Sequence, residues 1–178
     1  MILVDRAVWP WRGRRWAHLV SDDAYDELHR FAQAIGKRRL SFQGDHYDVD
    51  ETTRAVALEA GAVEVDSREL VRRIRAAGLR RRDPWHLLER GTFAHDDVGP
   101  RLRRLGLSPP LTTAAVEVAT VLGSALDVTV LQRTSEVGVG LLGDSDAAAP
   151  PTPPTISGVE VHVWVEVDRP LVELVQAR

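Results

Sequence analysis

About a quarter of the way along the chain, His46, Tyr47 and Asp48 form the densest group of side chains with useful acidities. A histidine titrates near neutral pH, so His46 can take up or release a proton during a reaction. Asp48 can orient the imidazole, and Tyr47 can donate or accept a hydrogen bond. A structural alternative stays open for Asp48, because Asp48-Val49-Asp50-Glu51 has the spacing of a capping box at the start of a helix. The sequence predicts these three residues as catalytic candidates.

Three more polar residues precede this group. Asp5 ends a predicted strand, at the kind of sheet edge where open α/β folds bind ligands, and it is a further catalytic candidate. His18 lies in a second predicted strand, and His29 lies at the edge of the apolar stripe of a predicted helix. If these residues met His46 in space, one carboxylate and three imidazoles would form a ligand set for zinc, manganese or iron. Their spacing matches no local metal motif, so no metal or other cofactor is expected, and the simpler role for Asp5 is hydrogen bonding at a strand end.

Cationic side chains and flat aromatic rings are interleaved in residues 9–16. Phosphate contact by arginine and base stacking on tryptophan use this combination, so a nucleotide or nucleic acid is the expected partner. The candidate substrate-binding residues are Arg12, Arg14, Arg15, Trp16, His18, His29 and, in a predicted second helix, Arg54. The alternative is that the arginines are solvated and the tryptophans are packed in the core.

Short strands and helices alternate over the first 80 residues. Apolar residues recur at helical spacing in some segments and occur in short runs in others, with irregular stretches at 9–16 and 37–47. The predicted elements are helices over 22–35, 51–60 and 67–77 and strands over 2–5, 17–20 and 62–65. This alternation predicts a small N-terminal α/β domain over residues 1–80 with a short, partly parallel sheet.

Charge divides the chain unevenly. Residues 1–105 contain 20 Lys and Arg against 17 Asp and Glu, and residues 106–178 contain 3 against 9, which gives the net charge of −3. Such asymmetry favours two modules and an anionic partner for the basic one. Residues 81–110 are rich in arginine and interrupted by proline and glycine, so we predict a basic connector with a helical turn or two.

Beyond the connector, the apolar period changes to two, which is typical of strands. The clearest case is Val159–Val167, and shorter cases are 116–118, 127–130 and 137–139, with a helix over 112–122 as the alternative for the first of these. Residues 111–178 are therefore predicted to form a β-rich, antiparallel region. A proline-rich loop is predicted over residues 144–157.

Short motifs follow one another in a distinctive order over the N-terminal domain. They are Val4-Asp5, Trp9-Pro10, His18-Leu19-Val20-Ser21-Asp22, Asp26-Glu27-Leu28-His29-Arg30-Phe31-Ala32, His46-Tyr47-Asp48, Arg54-Ala55-Val56-Ala57 and Ala60-Gly61-Ala62-Val63-Glu64-Val65. This succession resembles the bacterial and phage family called domain of unknown function 4031. The resemblance implies that residues 1–80 form one unit of bacterial or phage origin, and it supplies no catalytic residue. Some relatives carry a separate C-terminal hydrolase-like domain with His-Asp metal motifs, but the period-two segments here do not match it.

Composition excludes several classes of protein. The absence of cysteine excludes disulfides, thiol nucleophiles and cysteine-bound metal clusters, and it fits a reducing compartment. An acid and a base follow only three apolar residues at the N-terminus, and no uncharged apolar stretch approaches the ~20 residues that span a bilayer. We therefore expect a soluble, cytoplasmic protein without a membrane partner. Motifs for dinucleotides, nucleoside triphosphates, serine hydrolases and zinc proteases are absent from the sequence.

Two functions from different classes remain open, and the sequence does not decide whether the protein is an enzyme. In the first, the protein acts on a phosphate-bearing substrate, with His46 as general acid or base, Asp5 and Asp48 as supporting carboxylates, and Arg14 or Arg15 as the anion contact.

In the second, the protein is a non-enzymatic accessory module that binds nucleic acid or protein. The β-rich region would then form a homo-oligomer, since Trp164 is predicted on the outer face of a strong strand and sheet edges invite pairing.

Overall fold

The computed structural model describes residues 1–144 and 155–178. The chain divides into two compact units, Met1–Pro84 and Trp85–Arg178. The predicted fold class is confirmed, because the first unit has helices and a partly parallel sheet, and the second has a wholly antiparallel sheet. Most of the predicted loop over 144–157 lies outside the described residues. Within the described ranges, no helix is both long and apolar enough to cross a membrane.

The first unit is built around a five-stranded sheet. Its elements are β1 (Ile2–Val4), β2 (Trp9–Trp11), β3 (Arg14–Ser21), α1 (Tyr25–Ala34), a 3-10 turn (Arg39–Ser41), β4 (Tyr47–Asp50), α2 (Glu51–Glu59), β5 (Val63–Glu64) and α3 (Ser67–Ala76). The strand order is β2-β3-β1-β5, and β4 also pairs with β3. Strand β1 runs antiparallel to β3 and parallel to β5. The three predicted helices and the three predicted strands of this unit are thus present.

The sheet of the first unit has helices on both faces. Successive side chains of a strand point to opposite faces, so Leu19 and Val20 of β3 belong to different cores. Leu19 packs with α1 and α2, and Val20 packs with Leu70 and Ile74 of α3. Because of this alternation, His18 lies on the α3 face.

Residues 9–16, predicted as a loop, instead form a β-hairpin in which β2 pairs with β3. The two turn residues, Arg12 and Gly13, have φ values of 50° and 73°. Two-residue hairpin turns require such positive φ values, which glycine adopts without strain. Pro10 fits because β2 lies at the sheet edge, where a strand can do without a backbone donor.

The start of α2 decides against the alternative in which Asp48 caps this helix. The cap is Asp50, whose side chain accepts a hydrogen bond from the backbone N–H of Thr53 at 2.9 Å. Asp48 lies inside β4, directly opposite His18 of β3. Asp48 therefore does not cap α2, and it lies on the α3 face of the sheet.

The second unit has the sheet order β6-β7-β8-β10-β9. Its elements are β6 (His86–Ala94), α4 (His95–Arg104), α5 (Pro109–Leu122), β7 (Ala125–Gln132), β8 (Glu136–Leu142), β9 (Glu160–Glu166) and β10 (Arg169–Ala177). Helices α4 and α5 pack against one face of the sheet around a core that includes Leu102, Leu122 and Leu174. Trp164, predicted on an outer face, is half-buried in β9.

Two parts of this unit differ from the sequence prediction. Residues 81–110 are not a simple connector, since β6 and α4 occupy 86–104. Strand β6 is mostly exposed and helix α4 contains a proline. Neither segment therefore shows the hydrophobic periodicity by which a strand or a helix is recognised in a sequence. Residues 116–118 lie in helix α5, the alternative reading, because three alternating residues are too few to separate a strand from a helix.

Candidate active site

A buried carboxylate holds His18 in place. Asp5 follows β1 and is fully buried, and its Oδ2 lies 3.0 Å from His18 Nδ1. Its Oδ1 accepts a hydrogen bond from the backbone N–H of His18 at 2.7 Å, and Ser67 Oγ donates to Oδ2 at 2.7 Å. Burial alone raises the pKa of Asp5, but the hydrogen bonds from His18 and Ser67 outweigh it and lower the pKa below its ordinary value. An ionised Asp5 requires a proton on His18 Nδ1.

A second carboxylate holds His46. Nδ1 of His46 lies 2.5 Å from Oδ1 of Asp45, and the other oxygen of Asp45 accepts a hydrogen bond from Arg80 at 2.5 Å. On its other side, Nε2 of His46 lies 3.3 Å from Oδ1 of Asp48. Burial lowers the pKa of His46, but hydrogen bonds to Asp45 and Asp48 outweigh burial and raise the pKa to about 9. His46 is therefore an imidazolium at neutral pH in the metal-free protein.

Strand register and a tight turn bring these two histidines together. The β3–β4 register sets Asp48 opposite His18, and the turn before β4 is closed by a 2.8 Å hydrogen bond from the N–H of Gln43 to the carbonyl of His46. Gly44 in this turn has a φ of 101° and lies against the backbone of Asp83. The rings of His18 and His46 are 5.0 Å apart between centroids. One ligand-type atom from each of His18, His46 and Asp48 lies within 4.8 Å of the others.

The histidines open onto a cavity of about 170 Å³ on the α3 face of the sheet. Its polar lining groups are one carboxylate, two imidazoles, a hydroxyl and a guanidinium, and the rest of its lining is mostly apolar. The lining residues are Asp5, Trp9, His18, Val20, His46, Ser67, Leu70, Val71, Ile74 and Arg80. A small cavity with converging polar groups at one end is typical of a ligand site.

Two of the predicted residues lie elsewhere. Tyr47 is fully buried on the opposite face of the sheet, where its hydroxyl forms a 2.9 Å hydrogen bond with Nδ1 of His29. The ring of His29 also packs edge-on against Phe42 at 4.6 Å. The four-residue set with His29 is thus not assembled. Asp48 completes the group in its place.

The arginines of the hairpin do not reach the cavity. Arg14 forms an ion pair with Asp50 at 2.6 Å, and the guanidinium of Arg12 stacks over Trp11 at 4.5 Å. Arg15 is exposed, and Trp16 donates its ring N–H to the carbonyl of Trp11 at 3.1 Å. None of these four predicted residues is among the described residues that line the cavity.

Arg54 acts on the site indirectly. Its Nε donates a 2.6 Å hydrogen bond to the backbone carbonyl of Asp5, and its guanidinium also pairs with Glu64. These contacts fasten the chain segment that carries Asp5. Arg54 therefore contacts the backbone of Asp5 and is not among the described residues that line the cavity.

Sequence reasoning missed Asp45, Ser67 and Arg80. Asp45 had a usable signal, since it directly precedes a candidate histidine. Ser67 has no signature neighbour in the sequence, and Arg80 is one of several arginines around residues 72–82 with nothing to single it out. Only the fold shows that each contacts a carboxylate or histidine of the site.

The first unit is thus a small α/β module with two carboxylate-held histidines at the polar end of a cavity. Residues 2–77 match the model of a family described as a protein of unknown function, DUF4031. The match confirms the resemblance over the N-terminal residues and spans under half of the chain. No curated protein and no solved structure matches the chain.

Proposed function

We propose that the first unit is an enzyme that acts on a phosphate-bearing substrate, and that His18 and His46 carry its acid–base chemistry. One observation supports this most. Each imidazole is held at Nδ1 by a buried carboxylate, Asp5 or Asp45, and both rings line the same cavity. A histidine oriented in this way by a carboxylate is the arrangement that general acid–base enzymes use.

The two histidines differ in the role that their surroundings favour. Nε2 of His18 has no hydrogen-bond partner among the described residues, and the Asp5 contact leaves it as the basic nitrogen. His18 is therefore the general base, which takes a proton from water or a substrate hydroxyl. His46 carries a proton between Asp45 and Asp48, so it is the general acid that protonates the leaving oxygen.

Two cationic groups in the cavity could contact an anionic substrate. The imidazolium of His46 and the guanidinium of Arg80 both line it, and both are groups that bind phosphate oxygens. The apolar wall of Val20, Leu70 and Ile74 would accept the organic part of a phosphate ester. Arg80 therefore replaces Arg14 and Arg15 as the proposed anion contact.

The test is turnover of p-nitrophenyl phosphate, bis(p-nitrophenyl) phosphate and a set of nucleotides by the full chain. Replacing His18 or His46 by Gln should lower kcat at least about 100-fold, the usual size of a general acid–base contribution. His86→Gln is the matched control, since His86 is exposed on the second unit. The proposal fails if no phosphate ester is turned over, or if folded His18→Gln and His46→Gln variants keep wild-type kcat.

A second candidate function is binding without catalysis. The β2–β3 hairpin exposes Trp9 and Trp11, which are 54% and 56% exposed, beside the cationic Arg12 and Arg15. Exposed aromatic rings beside arginines suit single-stranded nucleic acid. Salt-dependent binding of an oligonucleotide that is lost in Trp11→Ala, with no turnover, would favour this function over the first.

We also propose a cytoplasmic location, a bacterial or phage origin, and assembly of copies through the second unit. The first is supported by the absence of cysteine. The last is supported by β9, an edge strand with Val165 64% exposed. Light scattering over a range of concentrations tests the assembly, and a monomer throughout would exclude it.

A further inference from the structure

We propose that His18, His46 and Asp48 bind one divalent transition-metal ion at the mouth of the cavity. Nε2 of His46 and Oδ1 of Asp48 are already 3.3 Å apart. Two ligands of a tetrahedral ion with bonds of about 2.0 Å are separated by about 3.3 Å. A ring nitrogen of His18 lies within 4.8 Å of both, so His18 would supply the third ligand by moving toward the other two.

The contacts behind the histidines are a second, independent observation. A metal-binding histidine almost always donates its other ring N–H to a carboxylate or carbonyl, which fixes the ring and its tautomer. Here both histidines do so, to Asp5 and to Asp45. Both carboxylates are buried, with exposures of 0% and 4%. Ser67 and Arg80 hold them in turn.

The charges around the cluster also favour a cation. Asp5, Asp45 and Asp48 surround two imidazoles that are neutral when they bind a metal. Arg80 contacts one of these carboxylates directly, at 2.5 Å from Asp45. A divalent ion would compensate the remaining negative charge in a partly buried place. Asp48 is 45% exposed on its side chain, which leaves a path for the ion to enter.

The donor set indicates which ions fit. Two imidazole nitrogens and one carboxylate oxygen suit zinc, manganese or iron(II), and magnesium and calcium prefer all-oxygen sites. Three protein ligands leave at least one position open to water or substrate. The inference shares the site of the proposed function and rests on it. With an ion bound, His18 and His46 would serve as ligands in place of their acid–base roles, and the ion would supply an activated water and polarise a phosphate oxygen.

The binding test uses the untagged full chain, stripped with EDTA, and titrated with Zn²⁺ in a calorimeter and with Co²⁺ by absorption. We expect one equivalent of Zn²⁺ to bind, and Co²⁺ to give the visible bands of a nitrogen–oxygen site. Asp48→Asn and His18→Gln should each weaken binding at least about 100-fold. Asp45→Asn, which keeps all three ligands, should weaken it about 10- to 100-fold. His86→Gln should bind like the wild type.

The inference is overturned if the wild type binds no equivalent of Zn²⁺, or if folded Asp48→Asn and His18→Gln bind it with wild-type affinity. Circular dichroism of each variant identifies any loss of fold, and Asp45→Asn then serves as the second probe. The two proposals fail separately. Zinc binding without turnover of any phosphate ester would support the metal site and contradict the proposed function. Turnover by protein that binds no zinc would support the proposed function and contradict the metal site.

Discussion

The proton on His46 stabilises the metal-free fold, and its loss on raising the pH is measurable. The pKa of His46 is raised from 6.5 to about 9, chiefly through Asp45 and Asp48, which outweigh the opposing effect of burial. Its side chain is 21% exposed, so solvent screens these contacts only in part. One pKa unit corresponds to about 1.36 kcal/mol, so a rise from 6.5 to about 9 corresponds to about 3 kcal/mol.

The sign of this contribution follows from a pKa that is higher in the folded state. The stabilisation is fully present below pH 6.5, the unfolded pKa, and is lost as the pH rises through about 9. Between pH 7 and pH 10, the free energy of unfolding should therefore fall by about 2–3 kcal/mol on account of His46.

The assay is urea unfolding of EDTA-treated protein at pH 7 and pH 10, compared with His46→Gln. Replacing Trp85 and Trp164 by Phe leaves Trp9, Trp11 and Trp16 as the fluorophores, all in the first unit. The glutamine variant removes the titration of His46 and keeps the other groups that titrate in this range. Equal pH dependence in the two proteins would refute the reasoning.

Three further predictions follow from single contacts. Asp50→Ala should destabilise the first unit by about 1 kcal/mol in urea unfolding, because it removes the α2 cap, and Asp48→Ala should cause no comparable loss of capping. Gly44→Ala should cost about 1–3 kcal/mol, since φ is 101° and the new Cβ would lie 2.8 Å from the carbonyl oxygen of Asp83. Asp5→Asn should lower kcat at least about 10-fold with little change in KM, because His18 loses its orienting carboxylate; unchanged kinetics would argue against His18 as the base.

Local signals explain what the sequence predicted well. The helices of the first unit have apolar residues at helical spacing and residues typical of helix ends close to their boundaries. Their positions could therefore be predicted from the sequence. The start of α3 is one example, since Asp66, a residue type that commonly caps helices, accepts hydrogen bonds from the N–H groups of Arg68 and Glu69. The long alternating run at 159–167 likewise predicted β9.

The geometry of the site depends on contacts between residues far apart in the chain, which no local sequence pattern shows. The pairing of His18 with Asp48 comes from strand register, and a shift of one residue would move His18 to the opposite face of the sheet. Arg80 meets Asp45 only because the chain after α3 returns to the turn before β4. Sequence reasoning could name His46 as the place to look, but it could not separate His18, which lies in the cavity, from His29, which lies in the core.

The measurement that tests the central claim most directly is a long-range ¹H–¹⁵N NMR titration of the histidine rings with inorganic phosphate, in metal-free protein. The account predicts that the Nε2 resonances of His18 and His46 shift together with saturation, and that those of His29 and His86 stay unchanged. Shifts at neither His18 nor His46 would contradict the claim that these two histidines form one phosphate-binding active site.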